Sequence, residues 1–297
     1  MKLKMFLVGL MAAGTTVFAA ESCLGSGSSK VSPAQVQKAL SGILGNAKVV
    51  SVSDSPISGL YEVVIETGNK KVPIYVDCNL KYLVNGEIID VNKKVSLTRE
   101  RFQQLQSQVN SEKEAKLAKI LGKDKVEMLK KEGLIDLINF VDTKNLPKPN
   151  ITYGSGNNVI YVFTDPQCPF CAKLHQEIEK VLKNRKDVRF EMVLYPLPFH
   201  KHARGISENI ECQKDNNAKQ NILNKSFESV AKGDEAGLSS IDKSCQSAKG
   251  TIDKNLQYAQ SVGINGTPTI VFPNKGIAVS GAIPAETLNK LIDALKW

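Results

Sequence analysis

The first regular pattern after the N-terminus is a run of apolar residues at helical spacing, followed by strand-like runs. Residues 32–44 place apolar side chains at helical intervals behind Ser32 as a cap and Pro33 at the first helical position, so they predict a helix. Residues 49–52, 60–65 and 72–76 are rich in β-branched and aromatic side chains and predict three strands. The pattern therefore predicts a small domain with one helix and a strand meander.

The same domain is predicted to end in a hairpin. Residues 82–84 and 88–89 are apolar and flank Asn85-Gly86, a pair typical of tight hairpins because both residues tolerate positive φ. A unit of this size has a thin core, and its exposed strand edges favour pairing with a second copy. Two interpretations stay open at this point, a small packing module and a dimerisation domain.

Residues 96–147 change character, because charged side chains dominate. Apolar residues such as Phe102, Leu105 and Leu117 fall at amphipathic helical spacing, with interruptions near Gly122 and Gly133. The apolar spacing is not a sustained heptad, so a long coiled coil is not expected. The prolines of residues 146–149 form a stiff boundary at the end of the segment. The segment is predicted to be a helical linker.

The N-terminus has the pattern of a targeting signal. Lys2 and Lys4 precede an apolar run over residues 5–18, and small residues follow at 19–20, which predicts a signal peptide over residues 1–20. A buried core helix is the alternative. Cys23 offers a lipid anchor as another alternative, but Glu21 fits the pattern of a lipoprotein signal badly. The mature chain is therefore expected outside the cytosol, where disulfides form and persist.

The most informative local pattern is a cysteine pair between a strand and a helix. Residues 159–163 (VIYVF) form an apolar run typical of a central strand, and Cys168-Pro169-Phe170-Cys171 follows shortly. Apolar residues then recur at helical spacing, so the pair opens a helix. The N-terminus of a helix favours an anion, which should lower the pKa of Cys168 below the ordinary value of about 8.5. Cys171, one turn further, can resolve a mixed disulfide.

Other uses of a C-x-x-C pattern fit less well. Haem attachment requires a histidine after the second cysteine, where this chain has Ala172. A structural zinc site requires a second, tightly spaced ligand pair, and Cys212 and Cys245 are far apart in sequence. A structural disulfide at the start of a helix is geometrically poor at this spacing. The pattern therefore favours redox chemistry with no metal and no cofactor.

A second signal lies near the C-terminus. Thr267-Pro268 precedes an apolar strand over residues 269–272. A proline directly before a strand suits a cis peptide bond and leaves a backbone edge with which an extended substrate can pair. Together with the upstream cysteine pair, this dipeptide completes a thioredoxin-like site in one α/β unit.

Composition and charge narrow the function further. The chain has 297 residues, 42% hydrophobic and 23% charged, which is typical of a globular protein. Its net charge of +9 comes from scattered lysines with few aromatic residues nearby, so nucleic-acid binding is not expected. Six cysteines are too few for a disulfide scaffold of this length, so each needs its own explanation.

Residues 159–175 and 262–272 resemble the DsbC/DsbG family of periplasmic thiol:disulfide interchange proteins. Residues 81–90 (KYLVNGEIID) are similar to the N-terminal dimerisation domain of that family, so the resemblance extends over nearly the whole mature chain. It implies an α+β fold, with a cystatin-like dimerisation domain at residues 21–95 and a helical linker at 96–147. A thioredoxin-like domain with a helical insertion would follow at 148–297.

The resemblance also implies roles for individual residues. Cys168 would be the nucleophile and Cys171 the resolving thiol, while Cys212 and Cys245 would form a structural disulfide. Pro169, Phe170, Thr267 and Pro268 would contact the substrate, and the dipeptide Pro169-Phe170 looks more like that of DsbG than that of DsbC.

The implied activity is isomerisation of wrong disulfides, with chaperone activity, by a V-shaped homodimer in the periplasm. The implied partners are misoxidised secreted proteins and a membrane thiol reductase of the DsbD type. Two other functions stay open, a DsbA-like dithiol oxidase and a redox-independent dimeric chaperone.

The remaining candidate residues are predicted to be structural. His175, on the face of the active helix that carries Cys171, is interpreted as a partly exposed surface residue, with tuning of the thiolate as the alternative. His200 and His202 are interpreted as loop surface, because no carboxylate or cysteine is close in sequence. Asp165 is expected to cap the turn before the helix.

Two further positions bear on the cysteines. Thioredoxins carry a buried acid in the strand before the active helix, and the comparable position here is Val162. The sequence does not show which group replaces that proton acceptor. Cys78 is interpreted as a small buried hydrophobic residue, with a disulfide to Cys23 as the alternative.

Overall fold

The protein divides into two compact units, with the boundary between Val109 and Asn110. The computed structural model describes residues 31–68 and 70–295. The predicted signal peptide and Cys23 lie outside these residues. Each unit has its own sheet and its own hydrophobic core, and the mixed α+β class predicted from the sequence is confirmed. Within the described residues, no helix has both the length and the apolar character needed to cross a bilayer.

The first unit is a four-stranded antiparallel sheet with short helices. Ser32 caps the first helix in a capping box with Gln35, as the sequence predicted for the cap, but the helix breaks at Leu40 into two pieces. The core consists of apolar residues from the first helix and the two long central strands. The elements are α1 (Pro33–Ala39), α2 (Ser41–Leu44), β1 (Lys48–Asp54), β2 (Leu60–Thr67), β3 (Lys70–Asp77), β4 (Leu83–Val84), β5 (Ile89–Asp90) and β6 (Val95–Ser96).

The predicted hairpin at Asn85-Gly86 is wrong. β4 pairs with β3, whereas β5 pairs with β6 in a separate two-stranded ribbon, so β4 and β5 are not partners. Hydrogen bonds to other segments explain the difference, because the backbone N–H of Ile88 donates to Thr98 Oγ1 at 2.9 Å. The Ile88 carbonyl accepts from the N–H of Leu97 at 2.9 Å. With both groups engaged there, the strand cannot fold back across the Asn-Gly pair.

The second unit is built on a six-stranded sheet flanked by helices. Strand order is β7-β12-β11-β9-β10-β8, with β9 and β10 parallel and every other pair antiparallel. Its elements after the helical segment are β7 (Ile138–Phe140), β8 (Ile151–Gly154), β9 (Asn158–Thr164), α5 (Pro169–Asn184), β10 (Val188–Leu194), α6 (Ala203–Glu211), α7 (Asn216–Lys232), α8 (Glu235–Ile241), α9 (Lys249–Ser261), β11 (Thr269–Phe272), β12 (Ile277–Ser280) and α10 (Ala285–Leu295).

The helical segment between the two sheets does more than connect them. It forms α3 (Leu97–Leu121) and α4 (Lys123–Lys131), separated at Gly122, where φ is +85°. Leu117 and Leu129 are fully buried in the main core of the second unit, and β7 lies at an edge of its sheet. The part of the predicted linker after residue 109 therefore belongs to the second unit, because its apolar face is buried there.

Candidate active site

The junction of β9 and α5 positions both central cysteines. β9 lies between β10 and β11, so its end is held from both sides. Cys168 is the N-cap residue of α5, and Pro169 takes the first helical position, where a missing N–H leaves no hydrogen bond unmade. The backbone N–H of Cys168 donates to the carbonyl of Asp165 at 3.1 Å, which closes the turn between strand and helix.

The two sulfur atoms have different surroundings. Cys168 Sγ lies 3.6 Å from the carbonyl oxygen of Thr267, and the Thr267-Pro268 peptide bond is cis. Cys171 Sγ accepts a hydrogen bond from the backbone N–H of Asp165 at 3.3 Å. Both cysteines are free thiols and buried. Phe170, between them in sequence, is 63% exposed. The structure thus brings together the cysteine pair and the Thr-Pro dipeptide that the sequence singled out.

These surroundings drive the two thiol pKa values apart. The pKa of Cys168 is lowered to about 6, chiefly by a hydrogen bond from the Cys171 thiol, which outweighs the opposing effect of burial. Backbone N–H groups of Phe170 and Cys171, at the start of the helix, act in the same direction. Burial raises the pKa of Cys171, and the neighbouring Cys168 adds to the rise. At neutral pH Cys168 is therefore the thiolate and Cys171 the thiol.

Asp165 is a buried carboxylate and more than a cap for the turn. It accepts hydrogen bonds from the backbone N–H groups of Gln167 at 2.7 Å and Leu197 at 2.6 Å. His200 Nδ1 lies 2.9 Å from the same carboxylate. Burial raises the pKa of Asp165, against the effect of these hydrogen bonds. The interpretation of His200 as loop surface is wrong, because its ring covers this carboxylate.

His202 is also not a surface residue. It is 4% exposed, and its two ring nitrogens lie 2.7 Å from Asp242 Oδ2 and 2.8 Å from Glu235 Oε1. The hydrogen bond with Asp242, supported by Glu235, raises the pKa of His202. Both carboxylates are remote in sequence, so proximity along the chain could not reveal them. Within the described residues, no group of three or more metal-ligating side chains is close enough to hold an ion.

His175 is buried against α7, so its interpretation as partly exposed is wrong as well. It is 6% exposed, and its ring meets Tyr153 edge-on at 4.8 Å and Phe227 at 5.2 Å between centroids. Its Nε2 lies 3.0 Å from Asn224 Oδ1. The only sequence signal for this residue was its position four residues after Cys171, on the same helix face.

The remaining cysteines lie away from this centre. Cys212 and Cys245 form a disulfide that links the end of α6 to the segment before α9. Cys78 is half-buried, packs against the core of the first unit and is disulfide-bonded, so its interpretation as a small buried hydrophobic residue is wrong. Val162 is buried in β9, so no acid is present at the position where a buried one was considered.

Two family models match the chain, one over each sheet. A disulfide bond isomerase protein N-terminal domain matches residues 27–99, and a thioredoxin-like domain matches residues 150–296. The predicted thioredoxin fold is thereby confirmed for the second unit.

Curated relatives agree with these matches. The chain is 25% identical to the thiol:disulfide interchange protein DsbC of Dickeya dadantii, over 82% of this chain and 81% of the relative. It is 26% identical to a probable thiol:disulfide interchange protein DsbC of Bordetella pertussis, over 81% of this chain and 67% of the relative. It is 30% identical to the DsbC of Escherichia coli K12, over 46% of this chain and 51% of the relative.

Proposed function

The chain belongs to the DsbC/DsbG family of thiol:disulfide interchange proteins and is a thiol-disulfide oxidoreductase, and from this premise we propose that it isomerises wrong disulfides in secreted proteins. The supporting observation is the combination of two features in one chain. Residues 27–99 match an isomerase N-terminal domain, and Cys168 is a buried thiol with its pKa lowered to about 6. A simple oxidase needs the second feature only.

The reaction begins at Cys168. Its thiolate attacks one sulfur of a substrate disulfide, a bond forms between that sulfur and Cys168 Sγ, and the other substrate sulfur leaves as a thiolate. If that thiolate, or another in the substrate, attacks the mixed disulfide, Cys168 is released and the substrate has exchanged disulfides with no net electron transfer. If Cys171 attacks instead, the substrate leaves reduced and the Cys168–Cys171 pair is oxidised.

Substrate contacts are proposed around Cys168. The carbonyl oxygen of Thr267 lies 3.6 Å from Cys168 Sγ, which supports binding of an extended peptide along this backbone segment. Phe170 and Phe199 are 63% and 73% exposed, and their rings offer apolar contacts to an unfolded chain. Pro169 shapes the first turn that presents Phe170.

We further propose a periplasmic homodimer, paired through the N-terminal domain and held reduced by a membrane thiol reductase of the DsbD type. Pairing would place two Cys168 thiolates on one substrate cleft. The predicted signal peptide over residues 1–20 supports export, and the N-terminal domain match supports pairing.

The redox state of the pair in cells tests this proposal. Cells are quenched with acid and treated with a large maleimide, so that Cys168 and Cys171 add mass to the protein when they are reduced. A Cys168→Ala strain identifies the corresponding band. We expect the pair to be reduced, as an isomerase requires. An oxidised pair would instead favour the DsbA-like oxidase. The redox-independent chaperone would be favoured by a different result. In that case Cys168→Ala would suppress aggregation as well as the wild-type protein, and neither protein would show thiol-dependent activity.

A further inference from the structure

His175 has one ring nitrogen with a clear hydrogen-bond partner and one without. Asn224 Oδ1, an acceptor only, lies 3.0 Å from His175 Nε2 and also accepts from the hydroxyl of Tyr153 at 2.9 Å. Nε2 must therefore carry the proton. Burial lowers the pKa of His175, so the ring is neutral near pH 7 and Nδ1 holds an unshared electron pair.

That lone pair is buried and unused. His175 Nδ1 has no hydrogen-bond partner, although buried polar atoms in proteins are nearly always paired. An unpaired base in a core is costly, so its presence calls for an explanation. The ring belongs to α5, four residues after Cys171, and helical side chains lean back towards the preceding turn. This rule places the His175 ring over the turn that contains Cys171, and the two side chains line one common space.

A narrow void beside the His175 ring also borders the resolving cysteine. Cys171 and His175 both line it, and it has no room for a water molecule. Val162 and Thr164 of β9 form part of its wall, and apolar side chains complete it. No water in the void can take the thiol proton of Cys171. Among the side chains lining it, His175 is the one base of useful strength near neutral pH.

His175 also lines an open cavity of about 320 Å³ between α5 and α7. Its wall includes His175, Asn224 and Glu179, and the carboxylate of Glu179 lies 3.7 Å from His175 Nε2. The Glu179 side chain is 54% exposed. The ring thus lines both the narrow void that Cys171 borders and the open cavity between α5 and α7.

We propose that His175 takes the thiol proton of Cys171 when Cys171 attacks the mixed disulfide on Cys168, and passes a proton to solvent through Glu179. The inference rests on the proposed function, in which Cys171 is the resolving thiol. It assigns the buried ring as the proton acceptor that β9 lacks at Val162.

The step balances in atoms and electrons. The S–H bond of Cys171 breaks, its proton moves to His175 Nδ1, and its sulfur electron pair forms the bond to Cys168 Sγ. The bond between Cys168 and the substrate sulfur breaks, and the substrate leaves as a thiolate. The imidazolium then loses its Nε2 proton to the Glu179 carboxylate and from there to water. When the pair is reduced again, Cys171 recovers a proton from Nδ1.

Few other titratable groups face the ring. Tyr153 of β8 meets it from one side and keeps its proton at neutral pH, because burial raises its pKa. Glu228 and Lys232 of α7 line the open cavity and are well exposed, so solvent screens their charges. Cys171 and Glu179 share the helix of His175. A pH profile of the resolving step therefore reports chiefly on the ring and on Cys171.

The test follows the resolving step alone. Cys168 of the full mature protein is charged with a chromogenic thiol as a mixed disulfide, and the release of that thiol by Cys171 is measured by stopped flow from pH 5 to pH 10. His175→Gln keeps an N–H donor for Asn224 and removes the base. We expect it to slow release about 100-fold at neutral pH. The deficit should shrink at high pH, where hydroxide ionises Cys171 directly.

Three comparisons make the outcome decisive. Gln176→Ala, on the same cavity wall, should release the thiol at the wild-type rate. Alkylation of Cys168 in His175→Gln should match the wild-type protein. Release by His175→Gln at the wild-type rate across the range, or a parallel loss of Cys168 alkylation, would overturn the role of His175. Unchanged release in Cys171→Ala would overturn the resolving role itself, and with it the proposed pathway.

A measurement on the wild-type protein covers the case in which His175→Gln fails to fold. Long-range nitrogen–proton NMR correlations distinguish the two neutral histidine tautomers. We expect the reduced protein to show His175 protonated on Nε2 and bare on Nδ1. A ring protonated on Nδ1 would leave Cys171 without this acceptor and would overturn the proposal.

Discussion

At the residue scale, the reactivity of the site comes from two sulfur atoms that differ in their hydrogen bonds. Cys168 lies at the N-cap of α5 and receives hydrogen bonds that lower its pKa, whereas Cys171 lies one turn inside the helix, where burial raises its pKa. A thiolate is the attacking species in disulfide exchange. Cys168 can therefore attack at a pH at which Cys171 is still a protonated thiol. This asymmetry allows a mixed disulfide to persist long enough for the substrate to rearrange.

Removing the Cys171 thiol should therefore raise the pKa of Cys168. The hydrogen bond from Cys171 is the largest cause of the lowered value of about 6, so Cys171→Ala loses that contribution while Cys171→Ser keeps a donor. The rate of iodoacetamide alkylation of Cys168 against pH measures the effect. We expect the midpoint to move upward in Cys171→Ala and to move less in Cys171→Ser. An unchanged midpoint in Cys171→Ala would show that the helix N-terminus alone stabilises the thiolate.

At the element scale, the segments after β10 are held together by polar contacts between α6 and α8. His202 precedes α6, while Glu235 begins α8 and Asp242 follows it. The two carboxylates raise the pKa of His202 above 6.5. A histidine whose pKa is raised by folding stabilises the fold at pH values below its unfolded-state pKa. This stabilisation is lost as the pH rises through the folded-state pKa.

His202→Gln should accordingly remove a pH dependence of stability. As pH rises above 6.5, the free energy of unfolding of the wild-type protein should fall relative to that of His202→Gln. The fall should not exceed about 1 kcal/mol, because both carboxylates are partly exposed to solvent. Urea titrations at pH 5.5 and pH 8.5 measure the difference. Lys201→Gln, at the neighbouring exposed position, is the control. A constant difference between wild type and His202→Gln at both pH values would contradict the linkage.

The Cys212–Cys245 disulfide acts at the same scale, because it closes a loop that contains α7 and α8. In the chain-entropy model, closure of a loop of this length stabilises the fold by about 4 kcal/mol. The double variant Cys212→Ala/Cys245→Ala should lose stability of that order in urea unfolding, with Cys168 alkylation unchanged. Under mild reduction, mass analysis should find this pair still linked after Cys168 and Cys171 have opened. Simultaneous opening of both pairs would contradict a structural role.

The elements differ in how far the sequence predicted them. The central strand, the cysteine pair and the Thr267-Pro268 bond were predicted, because each depends on neighbours within a few residues. The Asn85-Gly86 hairpin failed because side chains and backbone from elsewhere take the hydrogen bonds of Ile88. His202 was misread for a similar reason, since its carboxylates are brought to it only by the packing of α8.

At the scale of the whole molecule, the proposed isomerisation requires two domains to act together. The second unit alone carries the chemistry of dithiol exchange. Isomerisation also requires that a misfolded substrate be held while its own thiols attack the mixed disulfide. We attribute that holding to a dimer formed through the first unit, whose strand edges and exposed apolar side chains at Val50, Tyr82 and Val84 suit pairing.

Deleting residues 21–95 should separate the two activities. The truncated protein should be a monomer by light scattering and should retain simple dithiol exchange with glutathione or insulin. It should lose isomerisation of substrates with several disulfides. A monomeric full-length mature protein, or a truncated form that isomerises as well as the intact one, would contradict the proposed use of the N-terminal domain.

Recovery of scrambled ribonuclease tests the central claim most directly. The mature protein, reduced and present in catalytic amount, is mixed with ribonuclease whose disulfides were formed under denaturing conditions, and the return of ribonuclease activity is followed. We expect recovery with the wild-type protein. With Cys168→Ala, we expect recovery no faster than in buffer that contains the same thiol. Equal recovery with wild type and Cys168→Ala would contradict this expectation, because disulfide exchange would then proceed without the proposed nucleophile.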